Sequence, residues 1–232
     1  MATSLVPPSQ RSARRTTVAT KMVMAASGLL FVFYVFMHMY GNLKAFAGAD
    51  AFNEYAHHLR TIGEPILPYS GFLWLFRLLL IVALVLHVTS AVSLWRRANG
   101  ARSQRYVAKK AVAASVSSRW MRWGGITLLL FIVFHLLQFT TNTIRVNGDY
   151  AEPYDRLVAG FGVWWVVVIY LLALAALGMH LRHGFWSACQ TLGWTHTDRS
   201  AAQVKGAALL LAIIVAGGFA LVPLSVAFGL IS

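Results

Sequence analysis

Histidine is the residue whose number and spacing point to chemistry in this chain. Of its eight histidines, four (His38, His87, His135 and His180) lie deep in four different long apolar stretches. An ionisable side chain inside a membrane-length apolar helix is costly and rare, so each one needs a reason. A hydrogen bond to a neighbouring helix would explain one of them. Four, with one in each of four stretches and none in a fifth, point to shared ligands. Depth sorts them into pairs when successive helices alternate in direction. His38 stands 17 residues beyond Lys21 and His135 15 residues beyond Trp120, so roughly 25 Å and 22 Å from one surface at 1.5 Å per residue. His87 comes 9 residues before Arg96, roughly 13 Å from that surface, and His180 lies roughly 5–10 Å in, just ahead of Arg182 and Trp186. His38 and His135 therefore share an outer level, and His87 and His180 an inner one.

In an up-down four-helix arrangement the first and third helices are diagonal, as are the second and fourth. Each pair can then reach across the core, where such bundles build cofactor sites. Two imidazoles with nothing else suit a flat macrocycle clamped between them. They do not suit zinc, which wants four ligands or three plus water. A two-histidine, one-carboxylate iron site also fails, because none of the seven acidic residues lies inside an apolar stretch. Two axial histidines leave haem iron no open position, which favours electron transfer over oxygen chemistry. His183, three residues after His180, is the rival ligand. Its place beside Arg182 suits a propionate contact better, and Arg77 is a further propionate candidate. His57 and His58 fall in a solvated outer loop, and His196 in an inner loop carries no signal.

The elements that must hold these residues follow from composition. The chain has 232 residues, 58% hydrophobic and 12% charged, where soluble domains average about 45–50% apolar and about 25% charged. That excludes a disordered chain, a coiled coil and an ordinary soluble enzyme. A single cysteine, Cys189, excludes an internal disulfide and an all-cysteine metal site built by this chain alone. A bilayer core of about 30 Å needs roughly 20 apolar residues, and five stretches qualify, at about 22–43, 72–95, 121–141, 160–181 and 207–231. The expected fold is all-α: an integral membrane bundle of five transmembrane helices forming a single domain over 21–232, behind a flexible basic tail at 1–20. The first apolar run is too long for a signal-peptide core and is followed by no small-residue cleavage site.

The net charge of +13 is mostly topology. Fifteen of the twenty Lys and Arg residues fall in the segments 1–21, 96–122 and 182–205, whereas the other two connections hold six of the seven acids: Asp50, Glu54, Glu64, Asp149, Glu152 and Asp155. The positive-inside rule puts the N-terminus in the cytoplasm and the C-terminus outside. No nucleic-acid partner is needed to explain the charge. Trp120, Trp123, Trp164, Trp165, Trp186 and Trp194 lie near predicted span ends, where indole rings favour the interface. Gly28, Gly124, Gly125, Gly178, Gly217 and Gly218 are expected at close helix contacts. A transporter with a histidine relay is the non-redox alternative, but only Pro223 interrupts a span, in the helix without histidines, and no span carries a carboxylate. His38 to His87 is 49 residues and His135 to His180 is 45, and both first members follow aromatic runs (FVFYVFMH, LLFIVFH), a hint of internal duplication.

At these residues the chain resembles the five-helix, single-subunit, di-haem cytochrome b anchor of succinate dehydrogenases and fumarate reductases. The resemblance runs from Met22 to about Gly193. It rests on HMYGN from His38, LRTIGEPILP after His57 and His58, LHVTSAV around His87, and HLRHGFWSACQTLG from His180. It implies that the four haem-ligand histidines are His38, His87, His135 and His180, paired first with third and second with fourth. It further implies two cytoplasmic partners, a flavoprotein that oxidises succinate and an iron–sulfur subunit. The membrane substrate it implies is a quinone, expected to be menaquinone, in a multi-pass protein of the cytoplasmic membrane. This chain would carry two haems b and lacks flavin and iron–sulfur motifs of its own. The resemblance places a quinone-site glutamate after the first helix. Glu54 and Glu64 stand there, neither at a matching motif position, with His57 as a further proton candidate. A fumarate-reducing anchor and the cytochrome b of another membrane dehydrogenase are the alternatives of the same class.

Overall fold

The computed structural model describes residues 8–100 and 114–232, with side chains over 16–100 and 120–232. Every regular element among them is helical: α1 (Pro8–Leu43) with a short 3-10 turn (Lys44–Ala47), α2 (Ala49–Thr61), α3 (Gly71–Gly100), α4 (Ala114–His135) continued by a π-helical turn (Leu136–Thr140), α5 (Pro153–Phe161), α6 (Trp164–Thr191) and α7 (Asp198–Ala227). Five of these hold apolar segments of 21 to 32 residues, enough to cross a bilayer. Their outward faces are apolar too. On α3, Leu75, Leu78, Leu79, Ile81, Val82 and Leu86 are all exposed, a surface that hydrocarbon can cover and water cannot. The chain is a multi-pass helical membrane protein.

α1 packs against α3, α6 and α7, and α6 packs against α4 and α7. In cyclic order α3, α1, α6 and α4 form a four-helix unit, with α1 diagonal to α4 and α3 diagonal to α6. α7 lies behind α1 and α6. α6, packed against α1, α4, α5 and α7, is the best buried, through Val166, Tyr170, Ala173, Leu174 and Leu181. Small residues let these helices approach. A Cβ on Gly178 would lie 3.4 Å from Ala216 Cβ, and one on Gly218 would overlap the Met39 thioether. Gly217 faces open space, so the expectation of a close contact fails there.

Several boundaries differ from those read off apolarity. α1 begins at Pro8, inside the segment expected as a flexible tail; residues 1–7 of that tail lie outside the described residues, as do Arg102, Arg105, Lys109 and Lys110 of the basic connection. The fourth span does not start at 160. Gly160 and Phe161 close α5, Gly162 N–H bonds back to Val158 O at 2.8 Å, and Val163 is extended, so α6 starts at Trp164. α6 then continues to Thr191, which carries His180, Arg182, His183 and Trp186 on one helix. α7 starts at Asp198, because Thr197 and Ser200 form a reciprocal capping box, and it ends at Ala227. Hydropathy cannot see such a polar first turn.

The connections rich in acids also hold structure. α2 and α5 are short amphipathic helices at the same end of the bundle, tied together by Tyr154 N–H donating to Asn53 Oδ1 at 3.0 Å. Beneath them Tyr154, Leu157, Phe161, Val166, Tyr170 and Val222 form one buried cluster. This is the far end. The opposite, basic end carries the start of α1, the end of α3, the start of α4 and the connection after α6.

Candidate functional site

The four-helix unit brings the deep histidines together in two pairs. The rings of His38 and His135 have centroids 5.8 Å apart with planes at 79°, and those of His87 and His180 lie 6.2 Å apart at 57°. Both pairs join diagonal helices, α1 with α4 and α3 with α6. Three helices measure the spacing of the two levels. On α1, Ser27 touches His87 and stands 11 residues before His38. On α4, Gly125 faces His180 and stands ten residues before His135. On α6, Tyr170 touches His135 and stands ten residues before His180. At 1.5 Å per residue all three give a separation of about 15 Å.

Hydrogen bonds decide which ring nitrogen is available. Ser27 donates its hydroxyl proton to Val23 O (2.8 Å) or Met24 O (3.2 Å), so its oxygen accepts from His87 Nδ1 at 3.2 Å. Tyr170 donates to Gln138 Oε1 at 3.0 Å, so its oxygen accepts from His135 Nδ1, also at 3.0 Å. In both rings the proton sits on Nδ1 and Nε2 is left as a bare acceptor, the state of a metal-ligating histidine. His180 Nδ1 is buried with no hydrogen-bond partner among the described residues.

Two imidazoles on opposite sides of one metal ion, at metal–nitrogen bonds of about 2.0–2.1 Å, hold their ring centres about 6 Å apart. Both pairs match that separation. No group of three or more His, Cys, Asp or Glu side chains gathers among the described residues, so each level offers two nitrogen donors and nothing more. That donor set fits an iron already held in a plane by a macrocycle. Glycines flank the basic-end pair, where a Cβ on Gly28 would lie 3.3 Å from His87 Cε1 and one on Gly125 3.7 Å from His180 Cε1. Around the far pair the packing is aromatic. Tyr34 stacks on His38 at 5.4 Å, Phe131 on His135 at 5.8 Å, and Phe219 and Phe139 close the sides.

Beyond the far pair, a cleft of about 230 Å³ opens between α2 and α5, lined by Asn53, His57, Arg60, Tyr69, Glu152 and Arg156 among others. Arg156 forms its inner wall, donating to Phe139 O, Tyr150 O and Ala151 O at 2.9–3.3 Å, with a buried Nε that has no partner among the described residues. Phe139 in turn lies 5.6 Å from the His135 ring, so one residue separates the cleft wall from the far pair. Tyr55, on α2, faces Tyr40 and Lys44. Burial, reinforced by Tyr40, raises its phenol above the ordinary value against the pull of Lys44.

With this geometry in place, one comparison is decisive. Residues 93–220, more than half of the chain, match the family described as the succinate dehydrogenase/fumarate reductase transmembrane subunit. The chain belongs to this family. No curated protein and no solved structure gives a significant match. As a membrane subunit of such an oxidoreductase, the chain sits in a bilayer and associates with soluble subunits. The matched region holds His135 and His180, while His38 and His87 lie ahead of it.

In this transmembrane subunit the other expected site residues are scattered. Arg77 packs over Trp74 at 4.9 Å and lies within electrostatic reach of Tyr34, so it belongs to the surroundings of the far pair. His183 is half-buried and acts electrostatically on His180, whereas Arg182 is exposed. His57 lines the cleft and meets Tyr69 at 6.2 Å, while Glu54 and Glu64 are exposed and stand outside its lining; the carboxylate on its wall is Glu152. Ser27, Tyr170, Gln138 and Arg156 were not singled out in the sequence. A signal existed for Ser27 and Gln138, since a polar side chain in an apolar span needs a partner. Tyr170 gave none, being one more aromatic residue in an aromatic-rich helix.

Proposed function

We propose that the chain is the electron-transferring membrane subunit of a succinate:quinone oxidoreductase. His38 and His135 would hold one haem b and His87 and His180 a second. A haem b bound by two imidazoles supplies one-electron exchange with no open iron position. The observation that carries this reading is the pair of facing imidazole pairs, 5.8 and 6.2 Å between ring centres, stacked about 15 Å apart across the bundle. Ser27 and Tyr170 keep the ligand nitrogens of His87 and His135 unprotonated. Arg182 and His183 on the inner side, and Arg77 near the outer pair, would meet the propionates.

Charge sets the orientation. The basic end faces the cytoplasm by the positive-inside rule, and there the chain would dock an iron–sulfur subunit and, through it, a flavoprotein that oxidises succinate. The far end is then outside. Its cleft, one residue removed from the His38–His135 pair, suits a quinone headgroup, expected to be menaquinone. His57 and Glu152 can exchange protons with it there, and Arg60 and Arg156 can hold its oxygens. An electron moving outward runs with a membrane potential that is negative inside, worth about 2.3 kcal/mol per charge per 100 mV. The same residues serve the reverse, fumarate-reducing direction.

The test is a reduced-minus-oxidised spectrum of the purified complex with pyridine haemochrome quantitation. Two b haems per copy of this chain is the expected result, and none would end the reading.

A further inference from the structure

His135 stands at the end of regular α4, and the next five residues, Leu136–Thr140, form a π-helical turn in which Thr141 N–H reaches back to Leu136 O at 2.9 Å. Such turns cost hydrogen-bond quality and concentrate at functional positions. What this one achieves is visible in Gln138. Its side chain is turned inward and is 2% exposed, and its Oε1 accepts from the Tyr170 hydroxyl at 3.0 Å. The same hydroxyl oxygen lies 3.0 Å from His135 Nδ1. One phenol thus joins two residues of the α4 end to α6, and its single proton can go only one way at a time.

The direction matters. With Gln138 presenting its oxygen, the Tyr170 proton is committed to the amide, and His135 Nδ1 must be the donor to the phenol oxygen. With the amide reversed, Gln138 would donate to Tyr170, Tyr170 to Nδ1, and the histidine's own proton would move to Nε2, the only nitrogen left to bind a metal. The outer atom of the amide faces Gly160 in either orientation, and only the Tyr170 side selects between them. The amide Nε2 is buried without a hydrogen-bond partner among the described residues, pressed against Gly160, where a Cβ would come within 2.9 Å of it.

We propose that Tyr170 and Gln138 are positioning residues for His135: a buried chain, Gln138 to Tyr170 to His135, that fixes its tautomer and raises its basicity as an axial ligand of the outer haem. This rests on the di-haem reading above. A hydrogen bond accepted from the far nitrogen of a ligating imidazole makes that imidazole a stronger donor, which favours the ferric over the ferrous state. Among the described residues, the inner pair shows no such chain. Its counterpart, Ser27, is anchored to the backbone carbonyls of Val23 and Met24 on its own helix.

The experiment is redox titration and low-temperature electron paramagnetic resonance of the purified complex carrying Tyr170→Phe or Gln138→Leu, beside the wild type. Tyr170→Phe is expected to keep both haems and raise the outer midpoint, by about 59 mV for each tenfold loss of preference for ferric iron. The ferric outer signal should shift and the inner midpoint stay in place. Gln138→Leu, one bond further away, is expected to shift the outer midpoint in the same direction by less. If Tyr170→Phe loses haem altogether, the graded shift in Gln138→Leu still decides. Wild-type midpoints and signals in both variants, or a shift confined to the inner haem, would overturn the inference while leaving two haems in place. A wild-type complex without haem would overturn the di-haem reading and this inference together.

Discussion

The sharpest consequence of two pairs on two levels is that each can be disabled alone, with a calculable effect on the other. His87→Leu removes one imidazole of the inner pair and leaves His38 and His135 untouched about 15 Å away, beyond the 7–10 Å within which substitutions usually couple. Haem content should fall from two to one. The survivor then feels the loss of a neighbouring charge. One unit charge at about 15 Å in an effective dielectric near 20 is worth about 1 kcal/mol, which is about 45 mV for a one-electron couple. The sign follows from the order of reduction. With two haems bound, the higher-potential one would be reduced while its neighbour still carried the ferric charge, and that charge would hold its midpoint up. The lower-potential one would be reduced beside a neighbour already neutral. So when each pair is disabled in turn, one survivor should drop by about 45 mV and the other should stay in place. Potentiometric titration of His87→Leu and His135→Leu complexes measures both. His180→Leu should reproduce His87→Leu, and His183→Ala should keep two haems. The reasoning fails if His38→Leu and His87→Leu abolish the same spectral component, or if either single substitution empties both sites.

Three further outcomes follow from particular contacts. Ser27→Ala removes the acceptor for His87 Nδ1 and should raise the inner midpoint alone, read in the same titration. Gly218→Leu drives a side chain into Met39 between α1 and α7 and should destabilise the detergent-solubilised complex by about 1–3 kcal/mol, as overpacking does; Gly217→Ala, facing open space, should leave thermal unfolding unchanged. In sealed vesicles, succinate:menaquinone activity should depend on an imposed potential and fall in His57→Ala and Glu152→Gln but not in Glu54→Gln or Glu64→Gln; activity indifferent to uncoupler, with an inhibitor bound at the cytoplasmic face, would move the quinone to the inner side.

The five spans were legible because a bilayer demands about 20 apolar residues and tolerates little else. The meeting of His38 with His135 and of His87 with His180 was legible for a related reason, since depth along a helix is simply residue count times rise. What apolarity could not show is anything built from polar turns. The start of α7 depends on the Thr197–Ser200 box, and the break before α6 depends on Gly162 and Val163 at the close of α5. α2 and α5 are amphipathic and too short to cross a membrane, so hydropathy alone reads them as loops and does not show the cleft between them. Its lining draws on α2, on Tyr69 just before α3 and on the start of α5, three segments that no single periodicity connects.

The partners of the histidines were hidden for a different reason, and they show that the two levels are built unlike each other. His87 is held by Ser27, whose own anchor is the preceding turn of α1; that arrangement needs two helices and stays local to them. His135 is held by Tyr170 on α6 and, through it, by Gln138 in the π-helical turn, and Gln138 leans on Gly160 of α5. The far level therefore depends on three elements, one of which, α5, also forms a wall of the cleft through Pro153 and Arg156, with Glu152 just ahead of it. A ligand that shifts α5 when it enters the cleft must move the surface against which Gln138 rests, and so disturb the hydrogen bond that sets His135.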